Sequence, residues 1–403
     1  RDRSPSRGLG DVYKRQSYIR VLYAMWLVRT VLSYLLTYRK SLLIADQKEY
    51  IASITGLILN VVSYLAIILL VTWEQNYLLA LGIGTVTEVV LNIWISWYVE
   101  QKYPFLRQRR KEKSTSSLTK RIVRDLKSLF ISRISEKMLY CTDNLIISGF
   151  IGVGTVGRYA NYCMITQAIS NILTILANTI QPTVGDYFTE KNRQRNYEIL
   201  RQLTFGFFCI ASVVSVGLFS LITPFVRDIW LGPSYELGWG ITVFCIVVLL
   251  VRIMGLPLSL VMGVTGLFEK EKNVGASSAL LNLIVSLALV KPYGMAGVLL
   301  GTLLSYLLQI LYRYIIYFRD FLEMPGEALR YAQDIGEYLA VIAGEVLLMQ
   351  KIVPLIYGAG GMLLFCVCFL LCIAIPLLLD LVIFGRGWRL QSIVTMVKGM
   401  RKA

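Results

Sequence analysis

The apolar stretch 128–150 carries Arg133, Glu136, Lys137, Tyr140, Asp143 and Asn144 at i, i+3, i+4, i+7 spacing. On a helix these side chains fall within an arc of about 120°, which makes one face ionic. Phe130, Ile131, Ile134, Met138, Leu139, Leu145 and Ile146 supply apolar surface elsewhere on the same stretch. An ionisable group at bilayer depth is costly and normally faces a protein interior or a water-filled cavity. Arg and Lys in such a cavity suit phosphate oxygens, because their N–H groups make charge-assisted hydrogen bonds.

The next apolar stretch, 160–183, repeats the pattern with neutral groups: Gln167, Asn171, Thr174, Asn178 and Gln181. They project within about 80° of one another on the same angular count. Amides donate and accept, so a row of them suits sugar hydroxyls. Tying neighbouring helices together is the plainer role, and both readings stand.

Other mid-span polar groups are scattered: Arg29, Glu88 with Asn92, Arg252 and Glu345. Arg252 carries the most weight, because Gly255 and Pro257 just behind it are expected to break or kink the helix and free backbone groups for a cavity. Its alternative is a structural pair with a carboxylate on another helix. Asp143, Glu136 and Glu88 are candidates for ion or proton coupling. Glu337, Lys351 and Arg313 lie near span ends, where long side chains snorkel toward water.

The elements that must position these groups are membrane spans. Apolar runs of spanning length occur at 18–37, 51–73, 78–99, 128–150, 160–183, 203–224, 239–266, 275–290, 295–318, 333–357 and 360–384. The segments that follow the odd-numbered spans hold 26 Lys and Arg, and the alternate segments hold 3. Positive charge collects on the cytoplasmic side, so the tail with Arg386, Arg389, Lys398, Arg401 and Lys402 is expected there. The 403 residues are 56% hydrophobic with a mean hydropathy of +0.61, beyond what a soluble chain carries. The membrane rule accounts for the net charge of +16, so nucleic-acid binding is not needed to explain it. Attraction to anionic lipid headgroups is the reading kept.

Residues 1–17 differ in composition from the rest and resemble a translated adapter scar; they lack the apolar core of a secretory signal. The stretch 100–127 contains RQRRKEKSTSS and reads as a solvated basic linker. The chain has no histidine, which removes Ser-His-Asp and Cys-His catalysis and His-ligated zinc. Cys366, Cys368 and Cys372 lie in the last span without acidic neighbours in sequence and read as small apolar filler rather than metal ligands. Gly152, Gly154 and Gly157 spell G-x-G-x-x-G, but with no carboxylate about twenty residues on they read as turn glycines, not a nucleotide site. No cofactor and no metal are expected.

The segments YRKSLLIADQKEYI at Tyr38–Ile51 and TDNLIISGFIGVGTVGRYANY at Thr142–Tyr162, with the basic stretch between them, resemble the polysaccharide flippases. These belong to the multidrug/oligosaccharidyl-lipid/polysaccharide exporter superfamily. The likeness runs from about Ser17 to the C-terminus. It implies an all-α polytopic membrane protein, a two-lobe MATE-like helix bundle, with about eleven transmembrane helices present of fourteen. On that scheme 18–99 are the last three helices of the first lobe, 100–127 the linker and 128–318 the six-helix second lobe. Residues 319–403 are then two extra helices and a cytoplasmic tail, and three helices are expected to be missing from the front.

The resemblance also implies a function: moving lipid-linked oligosaccharide, usually on undecaprenyl diphosphate, across the bacterial cytoplasmic membrane for cell-surface polysaccharide synthesis. Arg133, Lys137 and Arg252 would meet the diphosphate, and Gln167, Asn171, Asn178 and Asn144 the glycan. The transport would proceed by rocking of one lobe against the other around a cationic cavity, with membrane lipids, glycosyltransferases and a polymerase as partners. A cation-coupled multidrug exporter is the rival from the same superfamily, although it would favour buried carboxylates and aromatic surface. A membrane polysaccharide polymerase is a rival from a different class, disfavoured by the short outside loops, and a channel or scaffold would leave the polar stripes without a purpose.

Overall fold

The computed structural model describes residues 5–35, 37–46, 48–74, 77–104, 123, 130, 141–188, 192–265, 267–358 and 360–385. Among them are nine helices long and apolar enough to cross a membrane, and no strand. These nine carry the spans expected at 51–73, 78–99, 160–183, 203–224, 239–266, 275–290, 295–318, 333–357 and 360–384. The expected span 18–37 falls on a long first helix that is not among the nine, and 128–150 is described mainly at 141–150. The chain divides into two compact units, Arg1–Thr115 and Ser116–Ala403, with the division inside the basic stretch 100–127.

In the first unit α1 (Pro5–Leu35), α2 (Thr37–Ala45) and α3 (Glu49–Glu74) each pack on α4 (Tyr77–Lys102). Its small core is Leu43, Ala52, Ile95 and Val99. The family-like segment from Tyr38 is tied to the end of α4: the Arg39 guanidinium pairs with Glu100 at 2.6 Å and donates to Ser96 Oγ at 2.7 Å. Beyond it, Asp46 accepts from Lys48 and from the Tyr103 hydroxyl. Both partners hold the exposed Asp46 carboxyl below its ordinary range, Lys48 most strongly.

In the second unit helical residues 141–150 (α5) lead through Gly152, at φ +125°, into α6 (Val153–Phe188). That backbone conformation is one L side chains rarely adopt, so the glycine makes the turn. Then come α7 (Arg193–Pro224), α8 (Trp239–Val264), α9 (Phe268–Tyr293), α10 (Met295–Ile315), α11 (Pro325–Tyr357) and α12 (Met362–Phe384). Asn192 caps α7 by accepting from the Arg195 amide at 3.2 Å, and Pro325 begins α11 where a missing N–H costs nothing. Short π-helical turns, Phe225–Trp230 and Ile316–Leu322, extend α7 and α10.

The packing of this unit centres on α8, which meets α6, α7 and α10, while α7 also meets α11 and α12. Phe205 and Phe208 of α7, Tyr338 of α11 and Phe384 of α12 join in one aromatic cluster; Phe208 and Tyr338 stack at 4.4 Å. Arg201 of α7 grips Asp334 of α11 through two hydrogen bonds, 2.6 and 3.0 Å. Bilayer lipid supplies no hydrophobic drive between helices, so such tight packing and polar clasps hold them.

Candidate functional site

The seam between α9 and α10 determines the surroundings of Asp143. Ser278, Asn282 and Ser286 recur every four residues on α9, facing Gly297, Gly301 and Ser305 at the same spacing on α10. Small residues on one helical stripe let backbones approach closely. The approach is so near that a Cβ on Gly297 would stand 2.3 Å from the Leu289 carbonyl oxygen. Ser305 Oγ donates to the Ser278 carbonyl at 2.9 Å and Ser286 Oγ to the Val298 carbonyl at 3.2 Å.

Asp143 of α5 drops into the middle of that seam. It is 5% exposed, accepting from Thr302 Oγ1 at 2.7 Å and from Asn282 Nδ2 at 3.4 Å, and Asn282 also reaches Thr302 at 2.9 Å. The first of the coupling candidates is therefore a buried carboxyl held by neutral donors. Asn144, the next residue, is exposed. Arg133, Glu136, Lys137 and Tyr140 lie outside the described residues.

On α6 the amide row divides. Asn171 and Asn178 are exposed, Gln167 is half-buried, and Gln181 leans on α8 where Gly263 leaves room for it. Arg252 is half-buried on α8 with its guanidinium 5.4 Å from the Tyr306 ring of α10, a cation–π arrangement. Of the break or kink expected behind Arg252, the break is absent: α8 stays helical from Trp239 to Val264 with Pro257 inside it. Packing from both sides offsets the hydrogen bond that proline removes. Gly255 instead serves contact, since Ile310 of α10 sits 2.9 Å from where its Cβ would be.

Glu88 belongs to the first unit, half-buried on α4. One turn before it, Gly84 accommodates the Arg29 guanidinium of α1, 2.8 Å from a would-be Cβ. Three polar features escaped the sequence reading: the α9–α10 seam, the Arg201–Asp334 clasp, and Asp380. The last had a signal, being the one charged residue in the 23 of α12. A cavity of about 690 Å³ near the ends of α7 and α11 is lined by Arg227, Asp228, Glu236, Trp239, Gln350 and Tyr357 among others, and by none of the residues singled out above for binding or coupling.

The class defined by these features is a multi-pass, all-α membrane protein with polar groups carried inside its bundles. A family model described as polysaccharide biosynthesis protein matches residues 9–188. Among solved structures, the chain is similar to "Lipid II flippase MurJ, inward closed conformation" with a TM-score of 0.60. That alignment has 15% identity and covers 87% of this chain and 71% of the other. At such identity the likeness is one of fold. No curated protein matches the chain.

Proposed function

We propose that the chain serves as a flippase that moves oligosaccharide linked to a polyprenyl diphosphate across the bacterial cytoplasmic membrane, for surface polysaccharide synthesis. It acts as a transporter and not as an enzyme, with the C-terminus on the cytoplasmic side and the enzymes that build and polymerise the glycan as partners. The observation that carries this reading is the match of residues 9–188 to polysaccharide biosynthesis proteins on a chain with a flippase-like fold.

Physical chemistry sets the task. A headgroup of several sugars and two phosphates in bare hydrocarbon would leave many polar groups unpaired, at several kcal/mol each. A polar path with alternating access removes that barrier. In this reading Arg133, Lys137 and Arg252 hold the diphosphate, and Asn144, Gln167, Asn171 and Asn178 meet the glycan. Arg252 has support in its seat, half-buried in mid-helix on an aromatic ring. Glu88, Glu136 and Asp143 are the groups proposed to couple transport to an ion.

The test is flipping of a fluorescent lipid-linked oligosaccharide in proteoliposomes with R133A, K137A and R252A. Loss of a charge-assisted contact of about 1.5–3 kcal/mol lowers the rate by about tenfold or more if the contact forms in the barrier state. Near-wild-type rates in all three variants would remove these residues from the path.

A further inference from the structure

A pair of buried acids lies on the last two helices, at residues the proposed cargo path does not use. Asp380 of α12 is 3% exposed, with Ser212 of α7 facing it but, among the described residues, no donor in hydrogen-bond geometry on either carboxyl oxygen. Glu345 of α11 is 2% exposed and interacts directly with it, side chain to side chain. One Glu345 oxygen accepts from Ser212 Oγ of α7 at 2.6 Å, and the other is unpartnered. The titratable groups facing the pair are few: the Cys209 thiol from α7, and the two acids themselves from α11 and α12. Among the described residues no Lys or Arg pairs with either acid. Arg201, the cation in the α7–α11 contact, is occupied by Asp334, about three helical turns from Glu345.

Two carboxylates side by side in a dry interior repel each other, and each also lacks the water that would solvate it. A single shared proton removes the repulsion and halves the unsolvated charge, because one acid then donates to the other and that hydrogen bond holds the charge that remains. We propose that Glu345 and Asp380 form a proton-binding site whose shared proton keeps α12 seated against α7 and α11. Loss of that proton takes the pair from one negative charge to two facing each other and drives α12 away from its partners, so the terminal helix pair responds to proton supply. A metal cation is a poorer occupant. Sodium-like hard ions seek about six oxygens, and here the four carboxyl oxygens and Ser212 Oγ make five.

The site is testable without transport, so its failure is separable from failure of the flippase reading. Cys368 and Cys372 on the same helix are buried and serve as reporters of its seating. The full chain in lipid nanodiscs is treated with a membrane-permeant thiol reagent over a pH series, alongside D380N and E345Q, whose amides mimic the protonated acid. Intrinsic thiol reactivity cancels in the ratio of wild type to variant. The expected result is a ratio that climbs about tenfold per pH unit across the window where closing takes up one proton. Infrared difference spectra over the same series should show a protonated-carboxyl band that both variants lose. A flat labelling ratio, an unchanged band in D380N, or protection that depends on sodium at fixed pH would each overturn the proposal.

Discussion

Gly297→Ala tests the packing that holds Asp143. The added methyl would stand 2.3 Å from the Leu289 carbonyl oxygen and 2.6 Å from its carbon, whereas ordinary contact begins near 3.4 Å. Backbone cannot rotate away, so α9 and α10 must part by about 1 Å at that level. The Ser286 bond to the Val298 carbonyl, already 3.2 Å, then leaves hydrogen-bond range. Overpacking costs about 1–3 kcal/mol and the lost interhelical bond about 0.6, while alanine's better helix propensity returns up to about 1. The net expectation is a loss of about 1–3 kcal/mol. Gly301→Ala is the control: its methyl meets Ser286 Oγ, a hydroxyl that can swing aside by giving up its bond to Val298, and backbone atoms only at 3.1 Å, so the backbones need not part. It should cost less. Thermal unfolding in detergent, followed by a thiol-reactive dye reaching buried Cys245 and Cys372, reads both. Gly297→Ala as stable as wild type, or less harmful than Gly301→Ala, would refute the reasoning.

Three further expectations concern the polar clasps. Thr302→Val keeps the side chain's shape but strips the 2.7 Å donor from Asp143, so the same unfolding assay should show a loss of about 1–3 kcal/mol, largely relieved in the double variant with Asp143→Asn. Arg201→Gln leaves Asp334 buried without its partner and should cost about 2–3 kcal/mol, less than a fully buried pair because the arginine is 21% exposed; adding Asp334→Asn should recover part of it. At the start of α3, the Asp46 carboxyl is held below its ordinary value of 3.8 by Lys48 and Tyr103. Its contribution is therefore present above that value and fades as pH falls through its folded value. Hydrogen exchange at residues 46–51 should quicken in that acidic window, and in Lys48→Ala the acid-dependent increment should shrink.

Nine of the spans were legible because a run of about 20 apolar residues is an unambiguous signal in a 403-residue chain. Individual polar residues were legible as exceptions to those runs, which is how Asp143, Arg252 and Glu345 stood out. Their partners were not, since contact across helices depends on which faces meet. Asp143 finds Thr302 some 159 residues away, and only the four-residue rhythm of Gly297, Gly301 and Ser305 hinted that α10 would admit it. Pro257 does not end its helix for a related reason: proline breaks an isolated helix, but one packed on α6, α7 and α10 stays continuous. Arg201 and Asp334 flank or begin apolar runs far apart in the chain, and only the fold brings them into a clasp.

The most direct measurement is transbilayer movement itself. Proteoliposomes containing this chain in its natural sequence context are loaded with a fluorescent polyprenyl-diphosphate oligosaccharide, and the fraction reaching the opposite leaflet is followed by quenching. The account predicts movement well above that in protein-free vesicles, competed by the same lipid diphosphate without fluorophore and not by an organic cation. Movement equal to protein-free vesicles, with the protein folded by the dye assay, would contradict it.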